Sequence, residues 1–449
     1  MRAIIVGAGN AGRNLAIKLC AEKHDVIVTD IDANTLTELE SQLDVLTFCG
    51  AGSDPEVLRK AGLAQADLLV AVTSSDDVNI LACYQAWRAG VQYRVARVAN
   101  VNYLNKYDFF ELKNLGVDLA LNPLTECANE ILDKLRLPGA REVIPLLRGK
   151  ALAAGLKITE PSPLANVTLQ DFPRPELLET ARFIGVVRQG KLLIPHGNTR
   201  IEVDDEVYVV APYKEMYDFV SWASPSCPDV DRVIISGGNG LGMKLAKSLE
   251  KRKLPVVIVE QDEDTAAKCS EELDKTTVLQ ANPLNSETMK ESEFTNNTAY
   301  VAAMGDDENN IISCLLARKN GARLTIAQVT DPEYVPIINS LSNLDRAVST
   351  HLSMINAILH FIRARQVEAV ALMHTLPGEL LEVRLSERSP WSGKKIQDVN
   401  IPEGAVIATI LRDNTVCPPT GEQKLQPDDR LIIFSSPKGI RKLNNIFRK

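Results

Sequence analysis

The sequence predicts an α/β fold: two Rossmann-like parallel-sheet domains, each followed by a small α+β module, in tandem duplication. Three observations predict it. The chain is written twice, short apolar strands alternate with longer helical patterns, and a glycine-rich turn follows the first strand of each copy. The repeat is read directly. "RAIIVGAGNAGRNLA" at Arg2–Ala16 lines up with "RVIISGGNGLGMKLA" at Arg232–Ala246. "ADLLVAVTSSDDVNILACYQA" (Ala66–Ala86) lines up with "NTAYVAAMGDDENNIISCLLA" (Asn297–Ala317), and "SPLANVTLQDF" from Ser162 with "SPWSGKKIQDV" from Ser389. Likewise "RIEVDDEVYVV" from Arg200 matches "KLQPDDRLIIF" from Lys424. Ordered matches at nearly one offset of about 230 residues mark a duplicated unit of half the chain.

Within the first unit the strands come in order as "AIIVG", "DVIVTD", "DVLTFCG", "DLLVAVT" and "YRVARVAN", with helical spacing between them. That rhythm implies βαβ units and a parallel sheet with helices on both faces. The alternation then stops. "ALAAGLKI", "FIGVVRQGKLLIP" and "EVYVVAP" read as short antiparallel strands, two of them joined by a turn at Gln189–Gly190. "WASPSCPDVD" (Trp222–Asp231), with two prolines and two serines, reads as the linker between halves.

Composition narrows the function. With 45% hydrophobic and 24% charged residues, the 449-residue chain is a globular protein able to bury several cores. No apolar run approaches the ~18 residues that span a bilayer, and "MRAIIVGAGN" lacks a secretory h-region. A cytoplasmic protein is therefore expected, with any membrane association peripheral. The net charge of -8 argues against nucleic acid, which needs a basic face. Eight cysteines with no C-x-x-C pair read as reduced apolar residues, and no metal-ligand set is apparent.

Gly7, Gly9 and Gly12 form G-x-G-x-x-G between a strand and a helix. The glycines allow a tight turn, close approach of backbone to a pyrophosphate, and close helix–strand packing. Helix-start N–H groups then face the phosphates. Asp30 ends the second strand about twenty residues on, where a carboxylate accepts from ribose hydroxyls and repels a 2′-phosphate. NAD, or an adenosine nucleotide such as ATP or ADP at the same site, is favoured over NADP. Thr73 and Ser74 follow the fourth strand at the carboxyl edge of the sheet. Asp76 is a plausible cap for the helix holding Asn79. Arg97, closing the fifth strand, is placed to reach a phosphate or to be a solvated surface arginine. None of the five histidines, His24, His196, His351, His360 and His374, lies in an obvious catalytic context, and none is repeated between halves. G-x-S-x-G, H-E-x-x-H and G-x-x-x-x-G-K-[ST] are missing from the sequence. A duplicated binder with no visible catalytic group reads as a sensor and not an enzyme. The alternatives are a soluble NAD-dependent oxidoreductase with a duplicated Rossmann domain, and a scaffold with inert turns.

"IIVGAGNAGRNLA", "VTDID", "AVTSSDDVN" and "SPLANVTLQDF…IPHGNTRIEVDDEVYVV", all present twice, resemble the TrkA family. These are peripheral, NAD-binding regulatory subunits of Trk-type potassium uptake systems. The resemblance covers the whole chain. It implies a Rossmann-like RCK (regulator of potassium conductance) domain at 1–136, a TrkA-C domain at 140–222, a second RCK domain at 231–363 and a second TrkA-C domain at 367–449. It further implies a cytoplasmic protein on the inner face of the membrane, self-associating as a dimer or tetramer into an RCK ring beneath an integral potassium-translocating subunit of TrkH/TrkG type. Nucleotide occupancy would gate that partner. Carried over by position, the dinucleotide contacts fall on Gly7, Ala8, Gly9, Asn10, Ala11, Gly12, Asp30, Thr73, Ser74 and Arg97. In the second half they fall on Gly237, Gly238, Asn239, Gly240, Leu241 and Glu260.

The second half departs from that pattern. Asn239 replaces the middle glycine, Gln328 stands at the position of Arg97, and "ANPLN" replaces "GAGSD". Asn tolerates the left-handed conformation, so the turn still forms. The expectation is a second site that binds more weakly, or binds a smaller ligand.

Overall fold

The computed structural model describes residues 1–105, 107, 109–227, 229–341, 344–363, 369–372 and 376–447. His374 and the expected junction between 363 and 367 lie outside them. Along the chain the strands are β1 (Arg2–Val6), β2 (Asp25–Asp30), β3 (Leu46–Cys49), β4 (Leu68–Ala71), β5 (Tyr93–Arg97) and β6 (Leu119–Leu121). Then come β7 (Glu142–Leu146), β8 (Ala151–Lys157), β9 (Arg182–Arg188), β10 (Lys191–Leu193) and β11 (Glu206–Pro212). The second half repeats both sets: β12 (Arg232–Ser236), β13 (Val256–Glu260), β14 (Thr277–Gln280), β15 (Thr298–Ala302), β16 (Leu324–Val329) and β17 (Arg346–Ser349), then β18 (Ala369–Leu372), β19 (Glu379–Arg384), β20 (Ala405–Arg412), β21 (Thr415–Cys417) and β22 (Arg430–Ser435).

The chain gathers into two units. One joins Met1–Leu132 with Asp231–Ile362, the other Asp133–Val230 with Arg363–Lys449. The first unit holds two parallel sheets ordered β3-β2-β1-β4-β5-β6 and β14-β13-β12-β15-β16-β17. This is the doubly wound order, whose switch point lies between β1 and β4, and between β12 and β15. Residues 3–6 of β1 and all of β4 are buried, because helices cover both faces. That is why these strands read as unbroken apolar runs in the sequence. The sixth strand of each sheet, only three residues in β6, carries too little pattern to be seen there.

The two sheets of the first unit exchange a helix. Met354, Ile355, Ile358, Leu359 and Ile362, on the helix Thr350–Arg363 of the second half, are buried in one cluster with Ala3, Ile5, Leu15 and Val70 of the first. Burying each such large apolar side chain contributes about 1.5–3 kcal/mol. In return, on the helix Pro123–Arg136 of the first half, Thr125 Oγ1 accepts a hydrogen bond from Lys244 Nζ of the second at 2.6 Å. The two exchanged helices meet where Ser353 Oγ donates to Glu130 Oε2 at 2.6 Å.

The second unit holds two five-stranded sheets, ordered β10-β9-β11-β8-β7 and β18-β19-β22-β20-β21, in which every neighbouring pair is antiparallel. Gln189 and Gly190 have φ of 49° and 74°, so the β9–β10 hairpin closes on two left-handed residues as a type I′ turn requires. A buried aspartate recurs in each sheet. Asp205 takes Arg188, and Asp429 takes Arg412, through paired hydrogen bonds of 2.7–2.8 Å. The helix Tyr213–Ala223 runs into the expected linker, so Trp222 and Ala223 are helical.

Candidate functional site

At the switch point of the first sheet the turn after β1 leads into the helix Asn10–Ala21. Gly7 has a φ of 107°, which side-chain-bearing residues rarely adopt. A methyl group on Gly12 would stand 1.8 Å from the Gly7 carbonyl oxygen, so only glycine lets the helix sit this close to the turn. Gly9 is the N-cap, with φ -64° and ψ -175°, and no side chain caps the helix. Its first amides therefore face outward with the positive end of the helix dipole.

Asp30 does two things. Its Oδ2 accepts the Ala8 N–H at 2.6 Å, and its Oδ1 accepts the Asp32 N–H at 3.0 Å. The carboxylate thus pins the turn to the end of β2, and each oxygen keeps a lone pair for a further donor. On the other side, the fully buried Asn79 organises the loop after β4. Its Oδ1 accepts the Thr73 N–H (3.0 Å) and Oγ1 (2.7 Å), and its Nδ2 donates to the carbonyls of Thr73 (3.1 Å) and Arg97 (3.0 Å). Arg97 Nη1 donates to the Thr73 carbonyl at 2.6 Å, turning the guanidinium toward the loop. The cap of the helix Asp76–Arg88 is not Asp76. Ser75 fills that position, its Oγ accepting the Val78 N–H at 3.3 Å, while Asp76 accepts the Ala99 and Asn100 amides at 2.8 Å each. An aspartate one residue inside the helix points to the next strand-end loop instead.

These elements enclose a cleft of about 400 Å³. Gly7, Gly9, Asn10, Ala11, Asp30, Thr73, Ser74 and Arg97 line it. Ala8 and Gly12 do not; Ala8 is buried in the turn and Gly12 in the first turn of the helix. The loop Gly50–Gly52 after β3, the start of the "GAGSD" stretch that the second half replaces, forms one wall. Two lining groups escaped the sequence reading. Thr29 forms part of the floor, fully buried, with its hydroxyl unpaired among the described residues. His351 arrives from the second half, at the start of the exchanged helix. Burial, and then the Arg97 guanidinium, hold the His351 imidazole below its ordinary value against the opposing pull of Asp307. The repeat comparison gave no signal for His351, since Leu124 stands at the corresponding position of the first half.

In the second sheet the turn after β12 keeps the same shape. Gly237 has a φ of 100°, and a methyl group on Gly242 would stand 1.9 Å from the Gly237 carbonyl oxygen. Glu260 Oε2 accepts the Gly238 N–H at 2.6 Å, as Asp30 accepts that of Ala8. The cleft here is about 320 Å³ and is lined by Leu124, Asn239, Gly240, Leu241, Met304 and Gln328 among others. Gly237, Gly238 and Glu260 lie outside its lining. Among the described residues no cluster of side chains could hold a metal ion, and no helix is long and apolar enough to cross a membrane.

The TrkA-N domain family matches residues 3–123 and 233–350, and the TrkA-C domain family matches 154–222 and 380–448. The Trk system potassium uptake protein TrkA of Halomonas elongata is 30% identical over 453 residues, covering 100% of this chain and 99% of that protein. The chain belongs to the TrkA family. A TrkA homolog of Archaeoglobus fulgidus is likewise 30% identical, over 100% of both chains. Among solved structures, "GsuK channel bound to NAD" covers 100% of this chain and 79% of that one at 18% identity, with a TM-score of 0.61. "Crystal Structure of the GsuK RCK domain" covers 100% and 95% at 19% identity, with a TM-score of 0.60. The duplicated TrkA-N and TrkA-C order read from the sequence is thus the family's own order, and the TrkA-N domain carries the RCK fold.

Proposed function

We propose that this TrkA-family chain is a nucleotide-operated regulatory subunit of a Trk-type potassium uptake system, not an enzyme. The observation that carries the proposal is the composition of the first cleft. The glycine turn and Asp30 line it together with His351 from the other half of the chain. A ligand filling the cleft touches both halves at once. It therefore biases their arrangement by whatever affinity difference it has for two arrangements.

The residues present fit a dinucleotide such as NAD, or ADP or ATP. The amides after Gly9 and the guanidinium of Arg97 suit phosphate oxygens. Asp30 suits ribose hydroxyls. Thr73 and Ser74 complete the rim. The bound nucleotide acts as a wedge between the halves, and no side chain of the cleft is needed as acid or base. In this reading the chain sits at the inner face of the membrane, assembles as a dimer or tetramer ring of RCK domains, and gates a TrkH/TrkG-type subunit.

Two measurements test it. Heat unfolding or calorimetry with NAD, NADH, ADP and ATP reads occupancy. Affinity purification from membranes reads whether an integral potassium-translocating subunit accompanies the chain. Absence of any nucleotide effect together with no membrane partner overturns the proposal, and nicotinamide turnover with a substrate would favour the oxidoreductase alternative.

A further inference from the structure

The two glycine turns have the same backbone but end differently. Gly9 (φ -64°, ψ -175°) and Asn239 (φ -67°, ψ -171°) are both N-caps in extended conformation. Gly9 leaves the helix start open, whereas Asn239 Oδ1 accepts the Leu241 N–H at 3.3 Å. The carboxamide takes a donor that a phosphate would otherwise take. Since the backbones coincide, the difference lies in the side chain alone.

The surroundings change in the same direction. A methyl group on Gly240 would lie 3.0 Å from Leu124 Cδ1, so a leucine rests against the first residue of the second helix where the first cleft has His351. Gln328 replaces Arg97 and Met304 replaces Thr73, so among the described residues no cationic group lines the second cleft. A pyrophosphate carries two negative charges, and without a cation only dipoles would face them. The turn's own polar groups are satisfied within the chain as well. Cys269 Sγ donates to the Gly238 carbonyl at 3.2 Å, while Glu260 holds the Gly238 N–H. Finally, the first cleft runs from the Gly50–Gly52 loop and Asp30 across the turn to Arg97. The second stops at the turn and reaches neither Glu260 nor the Ala281–Pro283 loop.

We infer that the chain takes one nucleotide, in the first half, and that Asn239 occupies the helix start of the second half as an internal substitute for the ligand's phosphate. The second Rossmann-like domain then serves as a fixed partner, and the first is the one that responds. This inference rests on the nucleotide reading of the first cleft.

The test counts ligands on the intact chain. Equilibrium dialysis with NADH and, separately, with ADP at saturation is expected to give one nucleotide per chain. Photolabelling with an azidoadenine analogue of the same nucleotide, followed by peptide mapping, is expected to mark peptides from 1–132 and none from 231–362 beyond the one containing His351. Two nucleotides per chain, or labelled peptides carrying Asn239 or Glu260, overturns the inference while leaving the first-cleft reading intact. No binding of either nucleotide overturns the first-cleft reading, and this inference with it.

Discussion

Substituting Gly9 by Asn separates ligand binding from folding. The φ of Gly9 is -64°, which any residue adopts, and a Cβ built there meets no heavy atom within 4 Å. The same residue already works at the matching position, where Asn239 caps the second helix. The folded chain therefore loses nothing. Asn is better than Gly at an N-cap by only a few tenths of a kcal/mol, so the melting temperature stays within about 1 °C. Binding responds differently. The carboxamide takes a helix-start amide that the phosphate would use, and one lost hydrogen bond to a charged group costs about 1.5–3 kcal/mol, or about 10- to 150-fold in Kd. Calorimetric titration of Gly9→Asn with NADH, beside its thermal unfolding without ligand, is the assay. Unchanged affinity would refute the placement of the phosphates at this turn. A melting temperature lowered by several degrees would refute the claim that the position is free for a side chain.

Asp30→Asn behaves oppositely, because its carboxylate is bonded to Ala8 and Asp32 before any ligand arrives. An amide NH2 facing one of those N–H groups removes a charged hydrogen bond, so stability of the first unit falls by about 1.5–3 kcal/mol and affinity falls as well; urea unfolding and titration read both. His351 links binding to pH. Its pKa lies below the ordinary 6.5 in the free chain, and an adjacent phosphate raises it, so binding takes up a proton and NAD+ binds more tightly as pH falls from about 7 toward 5. His351→Leu should flatten that dependence, and an unchanged slope would place the imidazole away from the phosphates. Asn79→Ala strips partners from the Thr73 amide and from two carbonyls, costing at least about 2–3 kcal/mol in urea unfolding. Asn310→Ala, which loses the Met304 amide and the Met304 and Gln328 carbonyls, should cost about the same.

The sheets were legible because parallel strands covered on both faces must be apolar where they are buried, as residues 3–6 of β1 and all of β4 are. The glycine turn and Asp30 were legible because each answers a local demand: a positive φ at Gly7, a close approach at Gly12, and a strand end facing the turn. What lay hidden was long-range. His351 enters the first cleft only because two helices exchange between halves, and no local pattern in "STHLSMINAILHFIRAR" states which sheet it covers. Thr29 reads as one more β-branched strand residue until the cleft above it is seen. Asp76 misled because aspartate caps helices so often that its service to the Ala99–Asn100 loop has no sequence signature. In the second half, the Asn239 substitution was legible, but that Leu124 lies against Gly240 is a fact of packing.

On the proposed reading, nucleotide occupancy of the first cleft sets potassium flux through a membrane partner. The most direct test of that reading is rubidium flux into liposomes holding the co-purified TrkH/TrkG-type subunit and this chain, with and without NADH or ADP. At a nucleotide concentration near the parent chain's Kd, flux should change with nucleotide for the parent chain and stay nearly constant for Gly9→Asn, whose affinity is about 10- to 150-fold weaker. A flux indifferent to nucleotide, or one that responds equally in Gly9→Asn, would contradict it.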